Sequence, residues 1–206
     1  MANGFLQIPD WFSIDNQGGG IAVADLDGDG NPDLVVMTVD NPDGQNRGIY
    51  RVGRNVDAEG NVTGGWTPWI DVPDWFSFEN QGAGPAIFDV DKDGRPDLLV
   101  MMIDNPPGQN QGFYRLGKGL DAAGNINGGW GPWIPIPDWF SFENQHGSIA
   151  VADIDADGNP DLIVTMVDNP PGQNRGLYRI GRKLDANGNV TGGWTPWIDV
   201  PDWFSF

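Results

Sequence analysis

The pentapeptide Pro-Asp-Trp-Phe-Ser occurs four times, at Pro9, Pro73, Pro137 and Pro201, each 64 residues after the one before. A fixed spacing of this kind means one structural unit copied in series, and it decides the fold class before any local pattern is weighed. Set against each other, Asp10 to Pro73 and Asp138 to Pro201 differ at 15 of 64 positions, nearly all conservatively. Such identity points to recent duplication or deliberate design. The organisation it predicts is a partial outer strand at 1–9, repeats at 10–73, 74–137 and 138–201, and the start of a further repeat at 202–206. Phe5 to Asp10 and Trp197 to Asp202 are then equivalent, and the chain is cut inside a unit.

Within one copy, four apolar stretches alternate with turn chemistry, the pattern of an antiparallel meander. Gly20 to Ala24 uses small residues, and Leu34 to Val39 is apolar on both faces, as a strand sandwiched between sheets would be. Gly48 to Gly53 alternates. Trp66 to Val72 carries Pro68, which confines it to an edge. With 31 Gly and 17 Pro among 206 residues, and no i, i+3, i+4 spacing, almost no helix is expected. Four-stranded sheets at fixed period, small residues first and an aromatic edge last, predict an all-β fold of three β-propeller blades. Solenoid repeats are shorter, typically about 20 to 45 residues. Propellers have about four to eight blades, so three leave two apolar faces bare, and homodimerisation into a six-bladed ring is the expected closure.

The chain carries 29 acidic and 11 basic residues, a net charge of −18, with one histidine and no cysteine. A surface so acidic repels nucleic-acid backbones and anionic membranes, so neither is expected as a partner. Without Cys there is no disulfide framework, thiol nucleophile or cysteine-ligated metal. No stretch reads as a signal peptide or membrane span, and the chain as given is expected to be soluble.

The acidity is concentrated. Asp25-Leu26-Asp27-Gly28-Asp29-Gly30-Asn31-Pro32-Asp33 recurs at Asp89 to Asp97 and Asp153 to Asp161, always as DxDxDGxxD. Carboxylates at positions 1, 3 and 5 of a tight loop can converge on one hard cation, glycine at 6 permits the turn, and position 7 offers a carbonyl. The carboxylate at position 9 completes an oxygen cage. Ordinary turns use the same residue types, but four like charges in nine residues repel strongly without a cation. An EF-hand is ruled out because Val36, Val100 and Val164 stand where its twelfth-position Glu would be. Calcium, three ions per chain, suits the loop better than Mg2+.

The stretch Val23 to Leu34, with its two counterparts, resembles the FG-GAP or VCBS-type repeat of integrin α-subunit propellers and many bacterial extracellular proteins. The resemblance implies a propeller blade per repeat, a secreted or extracellular setting, and structural Ca2+. Its ligands would be Asp25, Asp27, Asp29, the carbonyl of Asn31, and Asp33. The counterparts are Asp89, Asp91, Asp93, Arg95 and Asp97, then Asp153, Asp155, Asp157, Asn159 and Asp161. Arg95 departs from the pattern and is expected to weaken its loop.

Two readings fit the ten tryptophans, which recur in register. One is packing between blades. The other is carbohydrate stacking on Trp11, Trp75 and Trp139, beside the amides Gln45, Asn46, Gln109, Asn110, Gln173 and Asn174. No tuned acid–base or nucleophile set stands out, so no enzyme is expected. The reading is a calcium-stabilised scaffold that associates with itself, with a multivalent lectin as the alternative.

Overall fold

A computed structural model describes residues 6–11, 18–40, 46–76, 82–104, 110–139, 146–168 and 175–203. Among the described residues every regular element is a strand, as the Gly and Pro content demands. Sheet 1 is the meander β1 (Gly19–Ala24), β2 (Asp33–Asp40), β3 (Arg47–Gly53) and β4 (Ile70–Asp71). Sheet 2 comprises β5 (Ala83–Phe88), β6 (Asp97–Asp104), β7 (Gln111–Leu120), β8 (Ile126–Trp130) and β9 (Ile134–Pro135). Sheet 3 is the meander β10 (Gly147–Ala152), β11 (Asp161–Asp168), β12 (Arg175–Gly181) and β13 (Ile198–Asp199). All pairings are antiparallel.

Two details differ from the sequence expectation. The stretch Trp66 to Val72 contributes only Ile70–Asp71 to a ladder, plus an isolated Gly53–Trp66 bridge. Pro68 has no N–H to give, and Thr67 replaces ladder with side chain: its hydroxyl accepts from the Val52 N–H at 2.9 Å. Sheet 2 has five strands where four were expected. There β7 runs on past a register shift at Gly119, which takes φ +63 without a Cβ penalty. Asn55 and Lys183 hold the equivalent left-handed position, and sheets 1 and 3 keep only isolated bridges beyond it.

The sheets pack face to face in chain order. Alternate residues of a strand point to opposite faces. Val35, Met37, Val39, Tyr50 and Val52 of sheet 1 accordingly share a core with Leu98, Val100 and Leu120 of sheet 2. The other face of sheet 2, with Leu99, Met101, Ile103, Tyr114 and Leu116, meets Leu162, Val164 and Met166 of sheet 3. A fully buried side chain of this size is worth roughly 1.5–3 kcal/mol, so these two joins carry much of the fold. The outward sides stay partly open: Ile21 and Val23 are 65% and 58% exposed, and Ile154 is 45% exposed.

A clasp recurs at each sheet. Arg51, Arg115 and Arg179 are buried and donate to the carbonyls of Pro9, Pro73 and Pro137, respectively. Each guanidinium lies about 5 Å from two tryptophan rings, Trp130 and Trp133 in the case of Arg115, where planar stacking replaces lost hydration. The indole N–H groups of Trp69, Trp133 and Trp197 donate to the backbone carbonyls of Asp10, Asp74 and Asp138. Tyr50 and Tyr114 donate to Gly124 and Gly188 of the following sheet, at 2.7 and 2.9 Å.

Candidate metal centres

Each acidic loop joins the first two strands of its sheet, and its ninth residue opens the second strand. That residue is an anchor. Asp33 accepts from Leu26 N–H at 3.0 Å and Asn55 N–H at 2.9 Å, tying the loop to the stretch after β3. Asp97 does the same for Val90 and Gly119, and Asp161 for Ile154 and Lys183. All three are fully buried. Burial pushes the Asp97 carboxyl above its ordinary value despite these hydrogen bonds.

The first residue folds the loop around itself. Asp25 accepts from Gly28 and Gly30 N–H, while Asp89 and Asp153 accept from Gly94 and Gly158. Glycine at position 6 is required here, since Gly30, Gly94 and Gly158 hold φ between +84 and +87. Asp29, Asp93 and Asp157 receive the N–H of position 7.

Folded this way, carboxylate oxygens of Asp25, Asp27 and Asp29 lie within 4.8 Å of one another, as do those of Asp153, Asp155 and Asp157. In the middle loop the grouped set is Asp89, Asp91 and Asp97. Asp93 is turned aside by Arg95, whose Nε donates to it at 3.0 Å, and this hydrogen bond holds Asp93 below its ordinary value. Lys118 stands 3.5 Å from Asp91. In the third loop Arg182 pairs with Asp155 and Lys183 with Asp157, each at 2.8 Å. Among the described residues, Asp25, Asp27 and Asp29 pair with no basic side chain.

The donor set tests what could bind. It is all oxygen, without His or Cys, which favours a hard cation over zinc or copper. Within the donor set, the buried Oδ1 of Asp91 has no hydrogen-bond partner among the described residues, and a buried carboxylate oxygen left bare is costly. The residues present fit a hard divalent cation such as calcium, which Asp25, Asp27 and Asp29, then Asp89, Asp91 and Asp97, then Asp153, Asp155 and Asp157 would hold, with Asp33 and Asp161 fixing their loops from beneath.

Neither models of known protein families nor curated protein sequences match this chain.

Trp11, Trp75 and Trp139 meet Trp69, Trp133 and Trp197 edge to face, with centroids 5.5–5.8 Å apart. Trp75 and the buried Asn46 line one hollow together with Arg47, Asp71, Val72, Pro73 and Asp74. Asn110 is likewise buried, while Gln45, Gln109, Gln173 and Asn174 lie outside the described residues. Sequence reasoning missed the arginine clasp and the bases Lys118, Arg182 and Lys183 at the loops. Arg51, Arg115 and Arg179 do recur at 64-residue spacing in otherwise apolar strands, a signal that could have found the clasp.

Proposed function

We propose that this chain is a calcium-stabilised β-propeller module of FG-GAP or VCBS-like blades whose activity is assembly and interaction, not turnover. The observation that carries the reading is a convergent carboxylate cluster at the same hairpin of three successive sheets. A ligand held only by the folded state stabilises it by about 2.7 kcal/mol at a hundredfold excess over Kd. Three such sites rival the whole net stability of an ordinary domain, about 5–15 kcal/mol, which makes the metal structural. Three blades fall short of a ring, and a second copy brings the number to six, within the usual range. EGTA should lower the melting temperature sharply, with recovery in Ca2+ but not in equal Mg2+. An unchanged melt sinks the calcium reading, and a mass in solution that never reaches twice 22.4 kDa sinks the ring.

A second reading, a multivalent lectin, is favoured by the hollow that unites Trp75 with Asn46, Arg47, Asp71 and Asp74. Aromatic ring beside amide and carboxylate is the chemistry a sugar ring and its hydroxyls require, and repeated sites would add avidity. A glycan array read with and without calcium separates it from the scaffold reading; silence across a broad array discards it.

A further inference from the structure

The two joins inside the chain define what a third would need. Tyr50 of β3 reaches Gly124, and Tyr114 of β7 reaches Gly188, each 74 residues ahead. Continuing the series makes Tyr178 of β12 the next donor, and Gly60 is the acceptor that precedes it. Among the described residues neither has such a partner. The apolar exposure falls on the same two faces. Ile154 is 45% exposed where Leu26 and Val90 are 7% and 2%, and Ile21 is 65% exposed where Ile149 is 6%.

A paired substitution points the same way. By strand alternation, Met37 and Met102 stand at facing positions across the first join, and Met101 and Met166 across the second. At the two outward faces these positions hold Thr165 and Thr38. Methionine has given way to threonine on both sides of the missing join together.

The segment 6–11 complicates closure. Pro9 and Asp10 already occupy Arg51 and Trp69 of sheet 1, at 2.7 and 3.1 Å, as Pro73 and Asp74 occupy Arg115 and Trp133 of sheet 2. Cδ1 of Leu6 lies against Gly60 as that of Ile70 lies against Gly124. Segment 198–203 is the equivalent piece on sheet 3. It carries the same left-handed turn, with φ +55 at Asp202 beside +53 at Asp74 and +52 at Asp138, and its Pro201 and Asp202 carbonyls are set to meet an Arg51 and a Trp69. A second copy's sheet 1 offers them, but already filled.

We propose that sheet 3 of one copy docks on sheet 1 of a second copy in this register, and that its segment Ile198 to Trp203 displaces the second copy's Leu6 to Trp11. The proposal rests on the ring reading and adds its register and its obligatory exchange. Segment 6–11 is the piece that leaves, because 198–203 is laddered to β12 through β13 and Asp199 stands 3.8 Å from Arg175, whereas its counterpart Gln7 has no charge to offer. Leu6 to Trp11 is therefore a resident plug that holds the ring open.

Sedimentation equilibrium of the full chain in saturating calcium tests this by sign. Trp11→Ala loosens the plug and should bring dimerisation to roughly 3- to 10-fold lower concentration, the worth of one aromatic pair. Trp203→Ala should raise it by a similar factor, and Tyr178→Phe should raise it about 5-fold, one neutral hydrogen bond. Unchanged melting of each variant shows that the fold is intact. Opposite signs for the two tryptophan variants mean that 6–11 is instead a donated strand, which overturns the exchange and leaves the ring standing. A Tyr178→Phe dimer as tight as the parent overturns the register. Monomers throughout overturn exchange and ring together, without touching the calcium melt.

Discussion

The indole of Trp75 lies on Gly48 so closely that a β-carbon there would stand 2.1 Å from Cε3. Trp139 on Gly112 and Trp203 on Gly176 repeat the arrangement, at 2.4 and 2.3 Å. One methyl group therefore has nowhere to go. Gly48→Ala should cost roughly 1–3 kcal/mol by overpacking, read from the urea midpoint at constant slope. Trp75→Ala in the same chain should absorb most of that cost, since residues in contact are not additive. Two penalties that simply add would place the cost of Gly48→Ala somewhere other than against the indole.

Arg115 is held by a different economy. Its guanidinium donates to Pro73 and, through Nε and Nη2, to Gly131 at 3.0 and 2.6 Å, between two indoles. Burial lowers its pKa, yet it remains charged, and the fork reaches two chain segments at once. Arg115→Lys keeps the charge and loses the fork. It should lower stability by about 2 kcal/mol, within the range for hydrogen bonds to charged groups, seen as a drop in Tm. A lysine chain that melts with the parent would reduce the clasp to a surface contact.

Much of this was legible in the sequence because it depends on local chemistry and repetition. The loops Asp25 to Asp33 and their copies announced themselves through spacing, and Gly30 through the turn it permits. The strands β1 to β3 followed from their apolar runs. What stayed hidden depends on distance across the fold. The Tyr50–Gly124 bond joins residues 74 apart, and although Arg115 recurs with its repeat, nothing local says that it stacks between Trp130 and Trp133. The loss of ladder at Pro68 was half visible: the missing N–H was evident, the rescue by the Thr67 hydroxyl was not. That Lys183 and Arg182 would bend back onto Asp157 and Asp155 had no local signal.

A second set of aspartates predicts an acid response. Asn61 donates to Asp57 through its side chain and backbone, and Glu59 through its backbone, which holds Asp57 below the ordinary carboxylate value. At Asp121 and Asp185 burial pushes upward, but hydrogen bonds from Asn125 and Asn189 outweigh it, and both end lowered. A depressed folded value means stability that is present above the unfolded pKa, about 3.9, and lost as pH falls through the folded one. Asp97 runs oppositely, because burial raises it and protonation relieves it. In EGTA, the urea midpoint should therefore fall between about pH 4 and pH 2. Asp57→Asn, Asp121→Asn and Asp185→Asn together should flatten that fall; an unchanged slope would place the acid sensitivity elsewhere.

The three loops are not equal in charge, and their calcium affinities should rank accordingly. Asp25, Asp27 and Asp29 have no basic partner among the described residues, whereas Arg182 and Lys183 sit on the third loop and Arg95 and Lys118 on the second. Arg95 does the most harm, because it draws Asp93 out of the cluster that its counterparts Asp29 and Asp157 complete. Binding there must first break an exposed ion pair. Arg95→Asn restores the residue found in the other two loops and should tighten the weakest site by roughly 2- to 5-fold, leaving the other two unmoved in isothermal titration. If the weakest site keeps its affinity, the cation at position 7 is neutral to binding, and Asp97 alone makes good the loss of Asp93.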